Sequence, residues 1–412
     1  MKPLGPIPEG YEAIEGELAI GGRKASEWVD EAGGTPLFVY SAERIRRRIA
    51  ALRTSMPERL RIHYAVKANP YRPILELMAG LTDGFDIASV GELAMATTAG
   101  QDPARISFAG PGKRDRELAA AIDHGITVNC ESEGEVERAL SLAAAAGKRP
   151  RLAVRVNPDF EIKGAGMRMG GGAKPFGIDS SRVPGTVRRI IDGGGEWRGF
   201  HIFAGSQALE ASALIEAQQA SLKLAESLAQ QAEAAPPLVN LGGGFGIPYF
   251  HGEQPLDVEA VGAALAESLA DRPKILAETQ FAIELGRWIV GEAGVYLTRI
   301  VDRKESHGKT FLIVDGGMHH QLAASGNFGQ VIRRNFPVAV AGRFGSPPEE
   351  EVSIVGCLCT PLDRLADDVM MPKAEPGDLV AIFLAGAYGL SASPQAFLAQ
   401  SQALERLVGA AD

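Results

Sequence analysis

Short runs of β-forming residues alternate with long Ala-, Leu- and Glu-rich stretches from about residue 42 to residue 285. The long stretches, such as Glu133–Ala146 and Leu209–Ala232, have the apolar spacing of amphipathic helices. The candidate strands between them are Ile62–Lys67, Gly84–Ala88, Ile106–Ala109, Thr127–Cys130, Leu152–Asn157, Phe200–Ala204, Val239–Gly243 and Phe281–Leu285. Strands that alternate with helices form either a (β/α)₈ barrel or a doubly wound open sheet. We favour the barrel because the count closes at eight.

The pattern changes beyond Gly291. β-type segments follow one another there without a long helix between them, and a similar segment stands near the N-terminus. These segments are Val295–Val301, Thr310–Val314, Val352–Cys357, Leu379–Leu384 and Glu17–Gly21. We predict an α/β barrel domain over residues 36–285, and a mostly antiparallel β-domain built from residues 1–35 and 286–412.

Composition narrows the class of protein. Hydrophobic residues make up 45% and charged residues 23%, and 42 basic against 51 acidic residues give a net charge of −9. This balance is typical of a globular domain and disfavours nucleic-acid and anionic-membrane partners. No apolar run approaches the roughly 18 residues of a membrane span, and the first residues lack the apolar core of a signal peptide. We therefore expect a cytoplasmic protein without a membrane partner.

A lysine ends the first candidate strand, in the run 60–70. Large apolar residues alternate along this run and should face the helices: Ile62, Tyr64 and Val66. His63 and Lys67 then face into the barrel, with Lys67 at the carboxyl end of the strand, where barrel active sites lie. Two interpretations stay open. Lys67 is either a salt-bridged core lysine or a lysine that binds an aldehyde cofactor as a Schiff base.

Glycine is enriched, at 49 of 412 residues, against a usual share of about 7%. The seventh strand runs into Gly242-Gly243-Gly244-Phe245-Gly246, which fits neither the dinucleotide-binding nor the Walker pattern. A turn of bare backbone amides nevertheless suits a phosphate group, and Ser206 offers a hydroxyl after the preceding strand. The alternative is a tight turn without a ligand.

Two further motifs carry charged or reactive side chains. Glu284 and Arg287 flank Gly286 at the end of the eighth strand. Glu284 could hold a proton on a pyridine nitrogen and Arg287 could bind a phosphate or a carboxylate. The alternative is that the two form only a surface ion pair. Cys357 and Cys359 alternate onto one side of a predicted strand, but lack the further ligands of a zinc site. A buried, inert cysteine is the common alternative.

These motifs together resemble the fold-type III pyridoxal-phosphate decarboxylases, the group of diaminopimelate, ornithine and arginine decarboxylases. Tyr-Ala-Val-Lys-Ala-Asn, Gly-Ser-Gln, Gly-Gly-Gly-Phe-Gly, Glu-x-Gly-Arg and Gly-Ala-Tyr-Gly occur in the family's order, between Val39 and about Ser393. The resemblance implies an alanine racemase-like TIM-type barrel followed by a β-domain that completes the active site. It also implies the cofactor pyridoxal 5′-phosphate, and a homodimer with shared active sites in which each subunit receives the other's cysteine segment.

The resemblance also assigns roles to individual residues. It implies that Lys67 binds the cofactor as a Schiff base and that Glu284 pairs with the pyridine nitrogen. Asp86 and Arg155 lie beside the imine in this assignment, and Cys359 returns a proton to Cα after decarboxylation. The remaining cofactor contacts, most of them at the phosphate, are Ser206, Gly243, Gly244, Gly286, Arg287 and Tyr388.

The sequence departs from the family at the cofactor ring and at the substrate. The family's ring-stacking histidine is replaced by Phe203, to which we assign the stacking role, and His201 is either a core histidine or a ligand contact. Ala323 replaces the arginine that holds the distal carboxylate of diaminopimelate, Thr360 replaces an acidic residue, and Ala396-Phe397 replaces a Tyr-Asn pair. The predicted substrate contacts are His201, Arg287, Thr360 and Tyr388.

These departures predict a substrate other than a free diamino acid. The sequence is most similar to the subgroup associated with exosortase and exopolysaccharide gene clusters, whose relatives include decarboxylases of carrier-tethered amino acids. We predict a decarboxylase of an amino acid or a derivative, small or tethered to a carrier protein. The alternatives are an amino-acid racemase or epimerase on the same scaffold, which Glu284 disfavours, and a non-catalytic cofactor-binding regulator. The pair His319-His320 is too sparse to predict a metal site.

Overall fold

The structure, a computed structural model, describes residues 2–161, 166–168, 170–328, 330 and 332–409. The chain divides into two units. One comprises Arg48–Ile247 and Pro255–Gly286, and the other comprises Met1–Arg47, Pro248–Gln254 and Arg287–Asp412.

Parallel strands of the first unit close into an eight-stranded barrel. In chain order they are Arg61–Ala65, Gly84–Ile87, Ile106–Phe108, Thr127–Cys130, Arg151–Asn157, Glu196–Ile202, Leu238–Asn240 and Gln280–Leu285. The last strand pairs with the first, and the fourth pairs with the fifth. Because these pairings close the sheet, the predicted (β/α)₈ barrel is confirmed and the open sheet is wrong.

Helices follow the barrel strands along the chain. They are Arg72–Leu81, Val90–Thr98, Asp115–His124, Glu133–Ala145, Val183–Asp192, Ala211–Ala232 and Val258–Ala270, and Ala42–Ser55 precedes the first strand. Ser89 and Ser132 cap two of them, each accepting a hydrogen bond of 3.1 Å from the backbone three residues on. Such caps start a helix directly after a strand and keep the intervening loop short. No helix within the described ranges is long and apolar enough to span a membrane.

Buried polar side chains alternate with apolar ones along the barrel strands, as a barrel with a polar interior requires. Tyr64 packs edge-on against Phe85 at a centroid distance of 5.8 Å, whereas the adjacent His63 and Asp86 are buried polar residues. Pairing between strands places Glu284 opposite His63. The buried polar positions that concern the site are His63, Asp86, Ser107, Asn129, Arg155, His201, Asn240 and Glu284.

The second unit is mainly an antiparallel sheet. Its larger sheet contains Leu37–Ser41, Gly294–Ser306, Lys309–Val314, Val338–Val340, Glu350–Val355, Arg364–Met371, Leu379–Ile382 and Leu404–Val408. A smaller sheet of Glu12–Ile14, Glu17–Ile20 and Arg23–Lys24 precedes the helix Ala25–Ala32, and the short helix Arg287–Val290 also belongs to this unit. The predicted, mostly antiparallel β-domain is confirmed, and two of its strand pairs are parallel.

The strand Leu37–Ser41 pairs with Gly294–Ser306 and with Leu404–Val408. The predicted barrel domain of residues 36–285 includes this strand. The proposed boundaries of residues 36–285 stay a prediction.

Candidate active site

Lys67 follows the first barrel strand. The alternation predicted that Lys67 ends the strand. The strand instead ends at Ala65, and Lys67 lies in the single 3₁₀ turn Val66–Ala68 that follows it. The side chain is exposed, and Nζ lies 5.7 Å from the centroid of the Phe203 ring. Lys67 forms no ion pair with any residue that the structure describes, so the interpretation as a salt-bridged core lysine does not apply.

Glu284, near the end of the eighth strand, is buried beside His201. Its Oε2 lies 2.9 Å from His201 Nε2 and accepts a hydrogen bond of 3.1 Å from Asn240 Nδ2. Burial raises the pKa of Glu284, but the charges of His201, Lys67 and Arg155 outweigh burial and hold that pKa well below its usual range. Glu284 is therefore an anion that can stabilise a protonated ring nitrogen, and His201 is its partner.

Asp86 lies in the second strand, in register with Ala65. Its Oδ1 accepts a hydrogen bond from Ser107 Oγ, and Asn129 Nδ2 donates to the same hydroxyl at 3.3 Å. The other oxygen, Oδ2, is 3.4 Å from His63 Nδ1. Oδ1 of this buried carboxylate is therefore hydrogen-bonded to the next strand, whereas Oδ2 has an ion-pair contact with His63 on the preceding strand but no hydrogen bond within the described residues.

Arg155 is buried in the fifth strand and held by Glu131. Its Nη1 donates to Glu131 Oε1 at 2.8 Å, while Glu131 Oε2 accepts from the Gly177 amide at 3.0 Å. Burial raises the pKa of Glu131, but Arg155 and Lys113 outweigh it and the pKa is lowered. This carboxylate is the main partner of the Arg155 guanidinium and fixes its position within the barrel.

The glycine-rich turn follows the seventh strand. A Cβ on Gly243 would lie 1.8 Å from the carbonyl oxygen of Glu284, so only glycine fits between the two strands. The carbonyl of Gly244 accepts a hydrogen bond of 2.9 Å from the Ala208 amide, which links the turn to the loop that carries Ser206. The hydroxyl of Ser206 is buried and has no hydrogen-bond partner within the described part of the chain.

Arg287 and Tyr388 lie together in the second unit. The guanidinium carbon of Arg287 is 4.7 Å from the centroid of the Tyr388 ring, and Nη1 donates to Tyr249 Oη at 2.8 Å. Burial raises the pKa of Tyr249, which therefore stays a neutral phenol at ordinary pH. Arg287 is thus stacked and hydrogen-bonded, and the interpretation as a simple surface ion pair is wrong.

Cys359 lies in a bend beyond the strand Glu350–Val355 and not in the strand. The expectation that Cys357 and Cys359 share a strand face is wrong, because the strand ends two residues before Cys357. Cys359 is exposed, whereas Cys357 is half-buried and its Sγ donates to the Asp315 carbonyl at 3.5 Å. Burial raises the pKa of Cys357, which leaves Cys359 as the accessible thiol of this segment.

The cysteine segment is held by Asp363. Its carboxylate accepts a hydrogen bond of 2.9 Å from the Leu358 amide and one of 2.6 Å from the Met318 amide. Thr360, which lies between Leu358 and Asp363 in the sequence, donates its backbone amide to the Leu358 carbonyl at 2.8 Å. The segment that carries Cys359 and Thr360 is therefore fastened to the loop that follows Asp315.

His319 and His320 are both buried, with ring centroids 3.8 Å apart. His320 lies 2.8 Å from the Ser401 carbonyl and 3.1 Å from Tyr296 Oη. Burial lowers the pKa of His320 to about 4. Within the described ranges, no group of three or more histidine, cysteine or carboxylate side chains is placed to hold a metal ion.

Several residues that contact the predicted site residues have no role assigned from the sequence. His63, Ser107 and Asn240 surround the two barrel carboxylates, Glu131 holds Arg155, and Tyr249 holds Arg287. The alternation did place His63 inside the barrel, and this signal could have identified it. The other contacts depend on pairing between distant strands and loops, which a single local pattern does not contain.

The sequence of the barrel matches a known family. The profile described as "Pyridoxal-dependent decarboxylase, pyridoxal binding domain" matches residues 42–291. The L-glutamyl-[BtrI acyl-carrier protein] decarboxylase of Niallia circulans is 35% identical over 379 residues, which cover 90% of this chain and 88% of that protein. The diaminopimelate decarboxylase of Methanothermobacter thermautotrophicus is 33% identical, with 92% and 88% covered.

The fold matches solved structures over nearly the whole chain. The diaminopimelate decarboxylase of M. jannaschii in complex with L-lysine has a TM-score of 0.87 at 26% identity, and the alignment covers 97% of this chain and 93% of that one. The barrel, the lysine turn and the sequence matches define a pyridoxal-phosphate enzyme. The chain belongs to the pyridoxal-dependent decarboxylase family, its cofactor is pyridoxal phosphate, and it is an amino-acid decarboxylase.

The residues of the barrel fit this cofactor. Lys67 provides an amine without an ion-pair partner in the described structure, and Glu284 provides a buried anion for a ring nitrogen. The Ser206 hydroxyl, buried without a hydrogen-bond partner in the part described, is a donor suited to a phosphate oxygen. An amine, an anion and a buried donor are the groups that an aldehyde, a pyridine and a phosphate require.

We expect Ser206→Ala to weaken cofactor binding at least about tenfold, since a hydrogen bond to a charged group contributes roughly 1.5–3 kcal/mol. A titration of cofactor into cofactor-free protein measures the change. Ser268→Ala is the control, because the Ser268 hydroxyl donates to the Ala264 carbonyl of its own helix. Equal affinity in the Ser206 variant and the control would remove Ser206 from the phosphate site.

Proposed function

We propose that the enzyme decarboxylates an amino acid whose distal end is masked or tethered, such as an aminoacyl group on a carrier protein. The observation that carries this proposal is the lack of charge at Ala323 and Thr360, where diaminopimelate decarboxylases carry charged residues. Ala323 is half-buried in the 3₁₀ turn Leu322–Ser325. The similarity to a decarboxylase of a carrier-bound glutamyl group supports the same conclusion, as does the resemblance to the exopolysaccharide-associated subgroup.

Pyridoxal phosphate supplies an electron-accepting ring that stabilises the charge left at Cα when CO₂ departs. Lys67 binds the cofactor aldehyde through its amine, and Glu284 keeps the ring nitrogen protonated because opposite charges favour each other's charged form. Phe203, whose ring lies 5.7 Å from the Lys67 amine, would stack on the cofactor ring. Ser206, Gly243, Gly244 and Tyr388 would bind the phosphate, Arg287 would reach the phosphate or the substrate carboxylate, and Gly286 would be a further cofactor contact.

The remaining roles concern the substrate. Arg155 and Asp86 lie beside the reacting carbon, each with its partner fixed in the barrel. Cys359 donates the proton to Cα, which needs an accessible thiol. Arg287, Thr360 and Tyr388 contact the substrate, while His201 acts through its pairing with Glu284. We also propose a homodimer in which each site receives the cysteine segment of its partner.

Free diaminopimelate, ornithine and lysine are expected to be poor substrates, because an unpaired buried charge costs several kcal/mol, or about a hundredfold or more in rate. Release of CO₂ from matched pairs of free and carrier-tethered amino acids measures the difference. Lys67→Ala serves as the control for release without catalysis. If a free diamino acid turns over as fast as its tethered form, the charge has a partner elsewhere and the substrate assignment fails.

A further inference from the structure

His63 is a buried titratable group of the barrel to which the proposed function gives no role. It lies in the first strand, four residues before Lys67, and only 6% of its surface is exposed. Its Nδ1 is 3.4 Å from Asp86 Oδ2 across the adjacent strand. A charged carboxylate buried in a barrel needs such a partner, because an isolated buried charge is strongly unfavourable.

The neighbouring strand leaves room for the imidazole. Gly84 is the register partner of His63, and a Cβ on Gly84 would lie 3.0 Å from His63 Nε2 and 2.5 Å from the Arg105 carbonyl. The ring therefore occupies the space of a missing side chain. His63 is positioned by the sheet, and it orients the carboxylate two residues beyond Gly84.

The two oxygens of Asp86 have different partners. Ser107 Oγ donates to Oδ1, whereas His63 faces Oδ2. The hydroxyl supplies a hydrogen bond, but only the imidazole can supply a balancing charge. This arrangement resembles the second carboxylate of the barrel, Glu284, which combines a neutral donor, Asn240, with a histidine, His201.

A cavity connects His63 with the amino-terminal ends of the strands. It is lined by His63, Ser107, Asn129 and Asn240 on the inside and by Arg61 and others near the strand starts. This cavity connects the imidazole with the surface at the strand starts and therefore offers a route for proton exchange. The charged groups that surround the imidazole are Asp86, Glu284, Asp83, Arg61, Arg105 and Arg198.

We propose that His63 is a positioning residue that, as an imidazolium, provides the counter-charge of Asp86 and orients its carboxylate toward the cofactor site. The inference rests on the proposed function only in placing Asp86 beside the reacting carbon. Burial lowers the pKa of His63, but the charges of Asp86, Glu284 and Asp83 outweigh burial and raise it above its ordinary value. His63 is therefore charged at pH values where an exposed histidine is already neutral, and it loses this charge as the pH rises through the raised pKa, which leaves Asp86 without its counter-charge.

The test is an NMR titration of the full-length enzyme with bound cofactor and with ¹³C-labelled histidine, in which His63→Gln assigns the signal. We expect a midpoint above about pH 6.5, the ordinary value, and a fall of about one pH unit or more in Asp86→Asn, where burial remains without its main counter-charge. The exposed His251 should not move, and Asp83→Asn should shift His63 less. A midpoint below the ordinary value, or one unaffected by Asp86→Asn, overturns the proposal.

A second measurement links the pair to the enzyme. The rate of decarboxylation by the unaltered enzyme should decline as the pH rises through the midpoint that NMR finds for His63. His63→Gln retains a donor but no charge, so it should be slower at low pH and lack that step. An unchanged pH profile in His63→Gln excludes the positioning role. The NMR titration needs no substrate, so a wrong substrate assignment would leave it intact.

Discussion

Replacing Lys67 by alanine is expected to lower decarboxylation by more than about 10³-fold, because the residue provides the amine that attaches the cofactor covalently. Lys67 is exposed in a short turn, so the loss should occur in a folded protein. Lys67→Arg is the matched variant, since it retains the positive charge beside Phe203 but not a nucleophilic amine. Initial rates of CO₂ release from both variants, with their thermal unfolding as a check on folding, provide the measurement.

The charge and the covalent role give different outcomes. If Lys67→Arg retains a substantial part of the activity, then the charge matters and the amine does not, and the assignment of Lys67 fails. Borohydride reduction of the unaltered enzyme with bound cofactor adds a direct readout, because it fixes the cofactor to the amine that carries it. Peptide mapping should place that label on Lys67, and a label on another lysine would contradict the proposal.

The alternation of strands and helices was sufficient to predict the barrel, because each barrel strand pairs with a neighbour in the sequence order. The ends of the strands were harder to predict. The first strand stops at Ala65, where Tyr64 Oη donates to the Asn69 carbonyl at 2.9 Å and the Asn69 side chain accepts from the Tyr71 amide at 3.0 Å. These contacts hold a turn that the apolar alternation does not encode.

The strand Leu37–Ser41 shows how far the sequence pattern could predict strand pairing in the second unit. All five residues are buried, so the run has no polar alternation to indicate which sheet it joins. Its partners, Gly294–Ser306 and Leu404–Val408, lie far along the chain. A local sequence pattern therefore does not indicate these partners.

In the candidate site, too, some residues could be predicted from local motifs, whereas their contacts could not. Lys67 and Glu284 were found because each stands at a strand end within a recognisable motif. The pairing of Glu284 with His201 and Asn240 was not predicted, because these residues meet only through the register of neighbouring strands. A motif identifies the residue that performs the chemistry, whereas the groups that set its charge depend on the closed barrel.

Cys359→Ala is expected to slow turnover by about 10²-fold or more, the usual contribution of a general acid, while cofactor affinity stays unchanged. The matched control is Cys357→Ala in the same segment, since the Cys357 thiol is directed to the Asp315 carbonyl. Rates of CO₂ release and a cofactor titration separate the two effects. An equal loss in both variants would indicate damage to the segment instead of a lost proton donor.

The same variants test the proposed shared site. In a homodimer whose sites each combine Lys67 of one subunit with Cys359 of the other, mixing Lys67→Ala with Cys359→Ala protein creates hybrid dimers in which one site is intact and the other lacks both groups. Statistical exchange forms hybrids as half of all dimers, so about a quarter of the sites are restored. If each subunit instead uses its own cysteine, every hybrid site lacks one group and no activity returns. Failure to recover activity after subunit exchange has been verified, for example with differently tagged chains, would therefore contradict the shared arrangement while leaving the role of Cys359 itself intact.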